Sequence, residues 1–254
     1  MTDLPVYTAL RVVSADKRGS SRPVVIETKA GYFLTKLRGA AQGTPALIAE
    51  IVVASLAEAL GLWVPCRSLI LIDDTTQSDV HDDEFEDLFA ASSGLNLGLQ
   101  YLAGATDIRA DEAEAIADEV ACSILWLDAW VLNCDRTARN PNLMVHQDQL
   151  WLIDHGAALP FQYDWSKVSE ASPRTTEYAV DRHIFGNRAD NLLDWDNRLA
   201  ARLSVENLQN TVAQIPEAFL KPLLPGAPAA AIERRRQAYA AFLWKRLKFP
   251  RPFM

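Results

Sequence analysis

The chain has 254 residues, 49% hydrophobic and 23% charged, a globular composition that excludes a collagen-like, low-complexity or wholly disordered protein. Against 25 basic side chains stand 33 acidic ones, and the net charge of −8 argues against a general electrostatic grip on nucleic acid or anionic lipid. Three cysteines without CxxC spacing, Cys66, Cys122 and Cys134, argue against a disulfide framework or a zinc site and for a reducing, cytoplasmic setting.

At the N-terminus no basic stretch leads into an apolar core with a small-residue cleavage site, so no targeting segment is expected. Residues 6–38 read as strands: Val24-Val25-Ile26 is β-branched, Lys29-Ala30-Gly31 is a turn, and 32–37 resumes an extended pattern. Between them lies a small-residue loop, Gly19-Ser20-Ser21-Arg22-Pro23. A helix is predicted over 46–60 from Ile48, Val52, Leu56 and Leu60, with Gly61 as its stop and Pro65 barring resumption. The run 48–64 carries Glu50 and Glu58 and reads as amphipathic, not as a membrane span.

Residues 66–72 form a further predicted strand. The eight acids within 73–87 resist burial and predict a solvated loop or short helix between lobes. The apolar, glycine-punctuated stretch 94–102 reads as the segment connecting two lobes or as an ordinary loop entering the second. A long helix is predicted over 113–132, capped by Asp111, and a polar loop over 133–142. Leu143-Met144-Val145 and Leu150-Trp151-Leu152-Ile153 make a hairpin that delivers Asp154-His155-Gly156. Beyond Trp165 the sequence is mostly helical, and Trp126, Trp130, Trp151 and Trp244 read as core aromatics. Basic clusters at Arg234-Arg235-Arg236 and over 245–251 read as solvated faces, as complements to a helix C-terminus, or as a docking patch. Strands and one helix, an acidic joint, then helices with one hairpin predict an α+β fold in two lobes, residues 1–93 and 94–254.

Chemistry concentrates between Asn133 and Gly156. Because hairpin ends lie close in space, Asp135, Asn140 and Asp154 are expected to converge. Two carboxylates and an amide oxygen form a hard-oxygen site suited to Mg²⁺, although Asp and Asn in loops also serve simply as turns and caps. Lys36 stands among Phe33, Leu34 and Leu37, and Glu50 among Ile48, Ala49, Ile51 and Val52. A buried charge is costly unless paired, so a Lys36–Glu50 ion pair presenting an ammonium to phosphate oxygens is the economical reading. Strand lysine, helix glutamate, a loop Asp with Asn five residues on, and a second Asp before a glycine are the parts of a protein kinase, in order.

Phe33-Leu34-Thr35-Lys36, the helix end through Gly61 to Pro65, and Asn133-Cys134-Asp135-Arg136-Thr137-Ala138-Arg139-Asn140 resemble the HipA-like serine/threonine kinases. The stretch from Leu127-Asp128-Ala129-Trp130 to Asp154-His155-Gly156 also resembles the type II phosphatidylinositol 4-kinases, which share the Asp-Arg-x-x-x-Asn loop. The resemblance spans residues 19–165 and implies a two-lobed protein-kinase-like fold that uses ATP and Mg²⁺. It implies Lys36 on the nucleotide phosphates, Glu50 paired with it, Asp135 as catalytic base, and Asn140 and Asp154 as metal ligands. Ser20 and Ser21 then belong to the phosphate-covering loop, where they are also candidate phosphorylation sites, and Gln100 and Tyr101 to the adenine side of the cleft. A protein serine or threonine acceptor and an antitoxin-type partner are the implied partners. Three departures stand out. No Gly-x-Gly-x-x-Gly lid is present, Thr137 occupies a position usually held by histidine, and the chain is too short for the extra N-terminal subdomain of full-length HipA toxins. A lipid or small-metabolite kinase and an inactive nucleotide-binding pseudokinase are the alternatives.

Overall fold

A computed structural model describes residues 3–15, 22–80 and 82–254. Ser20 and Ser21 lie outside the described residues. The chain divides into two compact units, residues 1–48 with 65–103, and residues 49–64 with 104–254.

The first unit is β-rich. Its strands are β1 (Val6–Ala15), β2 (Val24–Thr28), β3 (Gly31–Lys36), β4 (Arg67–Ile72), β5 (Gln77–Ser78) and β6 (Gly94–Gln100). The sheet order is β2-β3-β6-β4-β1-β5, and an added β1–β2 pairing closes five of the strands into a ring. The predicted 29–31 turn is present: Thr28 Oγ1 accepts from Ala30 N and donates to Gly31 O, each at 3.0 Å. Inside the ring sit Ala9, Val12, Val24, Ile26, Leu37, Ile70 and Ile72, the β-branched and aliphatic residues that the pleat turns inward.

Two expectations fail here. Residues 94–100 are no connector: β6 is a central strand between β3 and β4 and carries the sheet past the expected boundary at 93/94. The glycine that suggested a loop is there for packing, since a Cβ at Gly98 would lie 2.6 Å from Ile70 Cγ1. The acidic stretch does hold the expected short helix, α2 (Asp83–Ala90), with its acids largely exposed, but it is no joint: with β5 it belongs to the first unit, and its Phe85 is buried in the same core beside Leu88 and Phe89. Asp82 caps the helix by accepting from Phe85 N at 2.9 Å, and Asp83, Glu84 and Glu86 fill the first turn, where negative charge suits the helix dipole.

Within this unit Thr35 is fully buried, yet among the described residues its hydroxyl has no hydrogen-bond partner. Thr35→Val removes that cost and is expected to raise unfolding stability by about 1 kcal/mol, measurable as a higher urea midpoint; a lower midpoint would mean the hydroxyl is satisfied.

Helix α1 (Gly43–Ala59) contains the division between the units. The four-residue spacing predicts one buried face, but residues 44–57 are buried on every side, because Ala49, Ile51, Val53 and Ala57 between the marker positions are apolar too. Gly61, at φ 82°, ends it as expected: Leu62 N donates to Ala57 O and Gly61 N to Glu58 O, both at 2.9 Å.

The second unit is mainly helical, with α3 (Asp118–Val131), α4 (Leu192–Ala201), α5 (Val205–Ala213), α6 (Glu217–Leu220) and α7 (Ala229–Leu247) around a small sheet of β7 (Thr106–Asp107), β8 (Leu143–His146) and β9 (Gln149–Leu152). Asp111 precedes only a short 3₁₀ turn, Glu112–Ala115, and α3 starts at Asp118. From 165 to 191 the expected helix is a string of 3₁₀ turns, because Pro173 and small polar residues interrupt it. The basic clusters are largely spent internally. Buried Arg246 donates to Ala129 O and Trp130 O at the end of α3 and to Pro173 O and Thr175 O, and burial, with Arg174 nearby, pulls its pKa down to about 10. Arg235 lies over the Trp165 ring, Arg236 donates to Ile215 O, and Arg251 pairs with Asp196. No described helix is long and apolar enough to cross a membrane.

Candidate active site

The site grows out of the end of α3. Residues 121–131 of this helix are buried all round, including the carboxylate of Asp128 at 0% exposure. Leu132 adopts a left-handed cap (φ 60°) and turns the chain into the polar loop. Asn133, also fully buried, pins that turn: its Nδ2 donates to Asp128 Oδ1 at 2.8 Å and its Oδ1 accepts from Asp135 N at 3.3 Å.

Asp128 accepts two further bonds, from Arg136 Nε at 2.6 Å and from His183 Nε2 at 3.0 Å. Phe185 N donates to His183 Nδ1, so the ring hydrogen sits on Nε2 and points at the carboxylate. Burial alone would raise the Asp128 pKa, but the Arg136 charge and the His183 hydrogen bond outweigh it and hold the carboxyl well below the usual range. Tyr178 OH donates to Asn133 O at 2.9 Å; burial, reinforced by Asp128, pushes its phenol above the normal range. Ile184 N donates to Arg136 O, and Thr137 forms an isolated antiparallel bridge with His183. The segment around 178–184 is thereby locked to the loop.

Arg136 also orders the hairpin. Its Nη1 donates to Asn142 O and, more loosely, to Pro141 O and Ile153 O, while Nη2 donates to His155 Nδ1 at 3.3 Å. One buried guanidinium, next in sequence to Asp135, thus grips the backbone before Asp154 and the side chain after it. Asp154 itself has φ 54°, a strained left-handed conformation for a non-glycine residue. The hairpin turn at Gln147 and Asp148 has φ 51° and 60°, the two-residue turn that matches strand twist.

Half-buried Asp135 uses one oxygen for the loop's own amides: Oδ2 accepts from Asn140 Nδ2 at 2.9 Å and from Asn142 Nδ2 at 3.3 Å. Among the described residues its Oδ1 accepts no hydrogen bond. Asn140, its nitrogen committed, has a carboxamide oxygen for another partner. A carboxylate on Asp154 and an amide oxygen on Asn140 are the hard donors that Mg²⁺ takes, usually with only one or two carboxylates beside substrate phosphates. Among the described residues no cluster of three or more His, Cys, Asp or Glu is built as an all-protein metal cage. The residues present fit such a lightly held magnesium.

Of the sequence-expected residues, the second unit brings together Asp135 and Asn140 and fixes the chain on both sides of Asp154. Lys36 ends β3 opposite Leu97 of β6 and is 6% exposed, as its apolar neighbours led one to expect. Glu50 in α1 is 1% exposed. Gln100 ends β6 on the surface, and Tyr101 is 48% exposed. Sequence reasoning missed Asp128, Asn133, Tyr178 and His183 and gave Arg136 and Asn142 no role. The available signal was Asp128, a charge inside an otherwise apolar helix, the same clue that marked Lys36 and Glu50.

Three comparisons bear on this geometry. A family model described as HipA-like kinase matches residues 10–222. The crystal structure of a proinflammatory kinase from Helicobacter pylori, CtkA, superposes with a TM-score of 0.57 at 12% identity, covering 92% of this chain and 89% of that one, a likeness of fold alone. No curated protein sequence matches. A family match over most of the length, with a loop whose Asp and Asn meet as that family's motif implies, leads to one conclusion: the chain belongs to the HipA-like kinase family.

Proposed function

We propose that this kinase transfers the γ-phosphoryl group of ATP, with Mg²⁺, to a serine or threonine hydroxyl of a protein. The observation that carries the reading is the pair of amide bonds on Asp135 Oδ2, in a loop whose Arg136 also holds the residues flanking Asp154. Asp135 Oδ1 accepts the acceptor's proton as the new O–P bond forms and the bond from Pγ to the ADP oxygen breaks. Asn140 and Asp154 would hold the magnesium, which supplies charge neutralisation on the phosphates when bound. In this reading the β-rich unit serves as N-lobe and the helical unit as C-lobe. Lys36, paired with Glu50, orients the phosphates, and Gln100 and Tyr101 flank the adenine. Phosphoryl transfer asks mainly for positioning and charge stabilisation, which these few side chains can supply.

The test is direct. Purified protein with radiolabelled ATP, Mg²⁺ and a cell lysate is expected to label a protein band, and Asp135→Ala to abolish the label. Label confined to the lipid extract would make it a lipid kinase, and ATP binding without transfer a pseudokinase. A toxin-type role with an antitoxin-type partner belongs to the same proposal; expression should arrest growth, and Asp135→Ala should relieve the arrest.

Asp154→Ala is expected to weaken Mg²⁺-dependent ATP binding by about tenfold or more, because a carboxylate contact to the metal is lost. Calorimetric titration with and without Mg²⁺ reads this out; unchanged affinity would remove Asp154 from the metal site.

A further inference from the structure

In a chain of net charge −8 most cations are already engaged. Among the described residues, the lysines and arginines whose side chains have no ion pair, hydrogen bond or ring partner are Lys29, Arg139, Arg182 and Arg234. Lys29 lies in the β2–β3 turn and Arg234 on α7, but the other two flank one feature. Arg139 sits at the tip of a two-residue turn closed by reciprocal bonds, Thr137 N to Asn140 O at 3.0 Å and Asn140 N to Thr137 O at 3.1 Å. The next residue, Asn140, is the one whose amide touches Asp135. Arg182 immediately precedes His183, the residue bridged to Thr137 across from that turn. Both arginines are exposed, and among the described residues Asp181 beside Arg182 makes no ion pair with either.

Arg139 and Arg182 are two exposed arginines on the two strands of one backbone bridge, without an ion pair among the described residues, and they contribute nothing evident to the fold. In the kinase reading the acceptor hydroxyl arrives at this loop, where two such guanidinium groups would supply positive potential. We infer that Arg139 and Arg182 form an anion subsite selecting a protein acceptor with acidic side chains beside its serine or threonine. The inference rests on the kinase reading above and names its substrate class. Guanidinium forks suit carboxylates, which they bind bidentately. A discrete acidic peptide fits better than an anionic membrane, since a bilayer would face the acidic bulk of this chain as well as the two arginines.

The probes are three serine peptides, identical except that the residues flanking the serine are Glu, Gln or Lys. A dye-labelled Glu peptide with Ala in place of the serine serves for fluorescence anisotropy at low and high salt. The wild type should favour the Glu peptide in kcat/KM. The double variant Arg139→Glu/Arg182→Glu, folded by its melting curve, should lower kcat/KM for the Glu peptide roughly tenfold and raise it for the Lys peptide. One attraction is lost and one repulsion gained at each exposed position. Salt should weaken anisotropy binding in the wild type but not in the variant. Equal use of the Glu and Gln peptides, or a preference that survives the double reversal, overturns the inference while Asp135-dependent ATP turnover leaves the kinase reading standing. Labelling of phosphatidylinositol vesicles with none of the Glu peptide also overturns it. If ATP turnover is absent or indifferent to Asp135→Asn, the kinase reading fails. The anisotropy arm then still decides: arginine-dependent binding keeps the subsite, and no binding ends it.

Discussion

Asp135→Asn is expected to cut phosphotransfer by about 10²–10⁴-fold, the range a positioned general base contributes, while unfolding stability stays within about 0.5 kcal/mol of wild type. The asymmetry follows from how the side chain is held. Only Oδ2 works for the loop, taking the amides of Asn140 and Asn142, and an asparagine oxygen can take both. What asparagine lacks is the basicity of the other oxygen. Steady-state transfer from labelled ATP and a thermal melt on the same preparation separate the two effects. A variant of near-normal turnover would show that the loop is shaped like a catalytic site without being one.

A quite different outcome is expected for Asp128→Ala. It leaves the Arg136 guanidinium buried without its carboxylate and also strips partners from His183 and Asn133. Removing one member of a buried pair costs about 3–5 kcal/mol, a large share of the roughly 5–15 kcal/mol that holds a domain together. A shifted urea midpoint measures it, with Asp128→Asn as the milder variant that keeps the shape. The sign with pH is fixed by the depressed carboxyl. Its folded-state pKa lies below the unfolded value near 3.9, so the contribution is fully present above that value and is lost as pH falls towards the folded one. The gap between wild type and Asp128→Asn should therefore stay constant across neutral pH and narrow only in strong acid. Because Asp135 hangs on the same turn through Asn133, both variants should also lose activity.

What the sequence made legible follows physical rules of short range. The β2–β3 turn, the Gly61 stop and the β8–β9 hairpin depend on local backbone chemistry. Lys36 and Glu50 announced themselves as charges among aliphatic neighbours, and both are buried. The Asp135–Asn140 contact spans five residues and needs only the loop's own turn. The unread parts are set by distant partners. Gly98 looks like a loop glycine until Ile70 is placed across from it, and the charge of residues 73–87 hides that Phe85 faces the core. His183 meets Asp128 from fifty-five residues away, through a stretch of 3₁₀ turns with no periodic signal. Arg136 was visible in the motif, but its function as a clamp on Asn142, Ile153 and His155 exists only once loop and hairpin are folded.

Where metal and triphosphate lie decides whether this loop works as a kinase site. Crystals grown with a non-hydrolysable ATP analogue and Mn²⁺ in place of Mg²⁺ locate both, the manganese by anomalous scattering. The expected peak is coordinated by the Asp154 carboxylate and the Asn140 amide oxygen, with the γ-phosphate between it and the Lys36 ammonium. Manganese bound elsewhere, or a nucleotide that touches neither Asp154 nor Lys36, would contradict that reading of the loop.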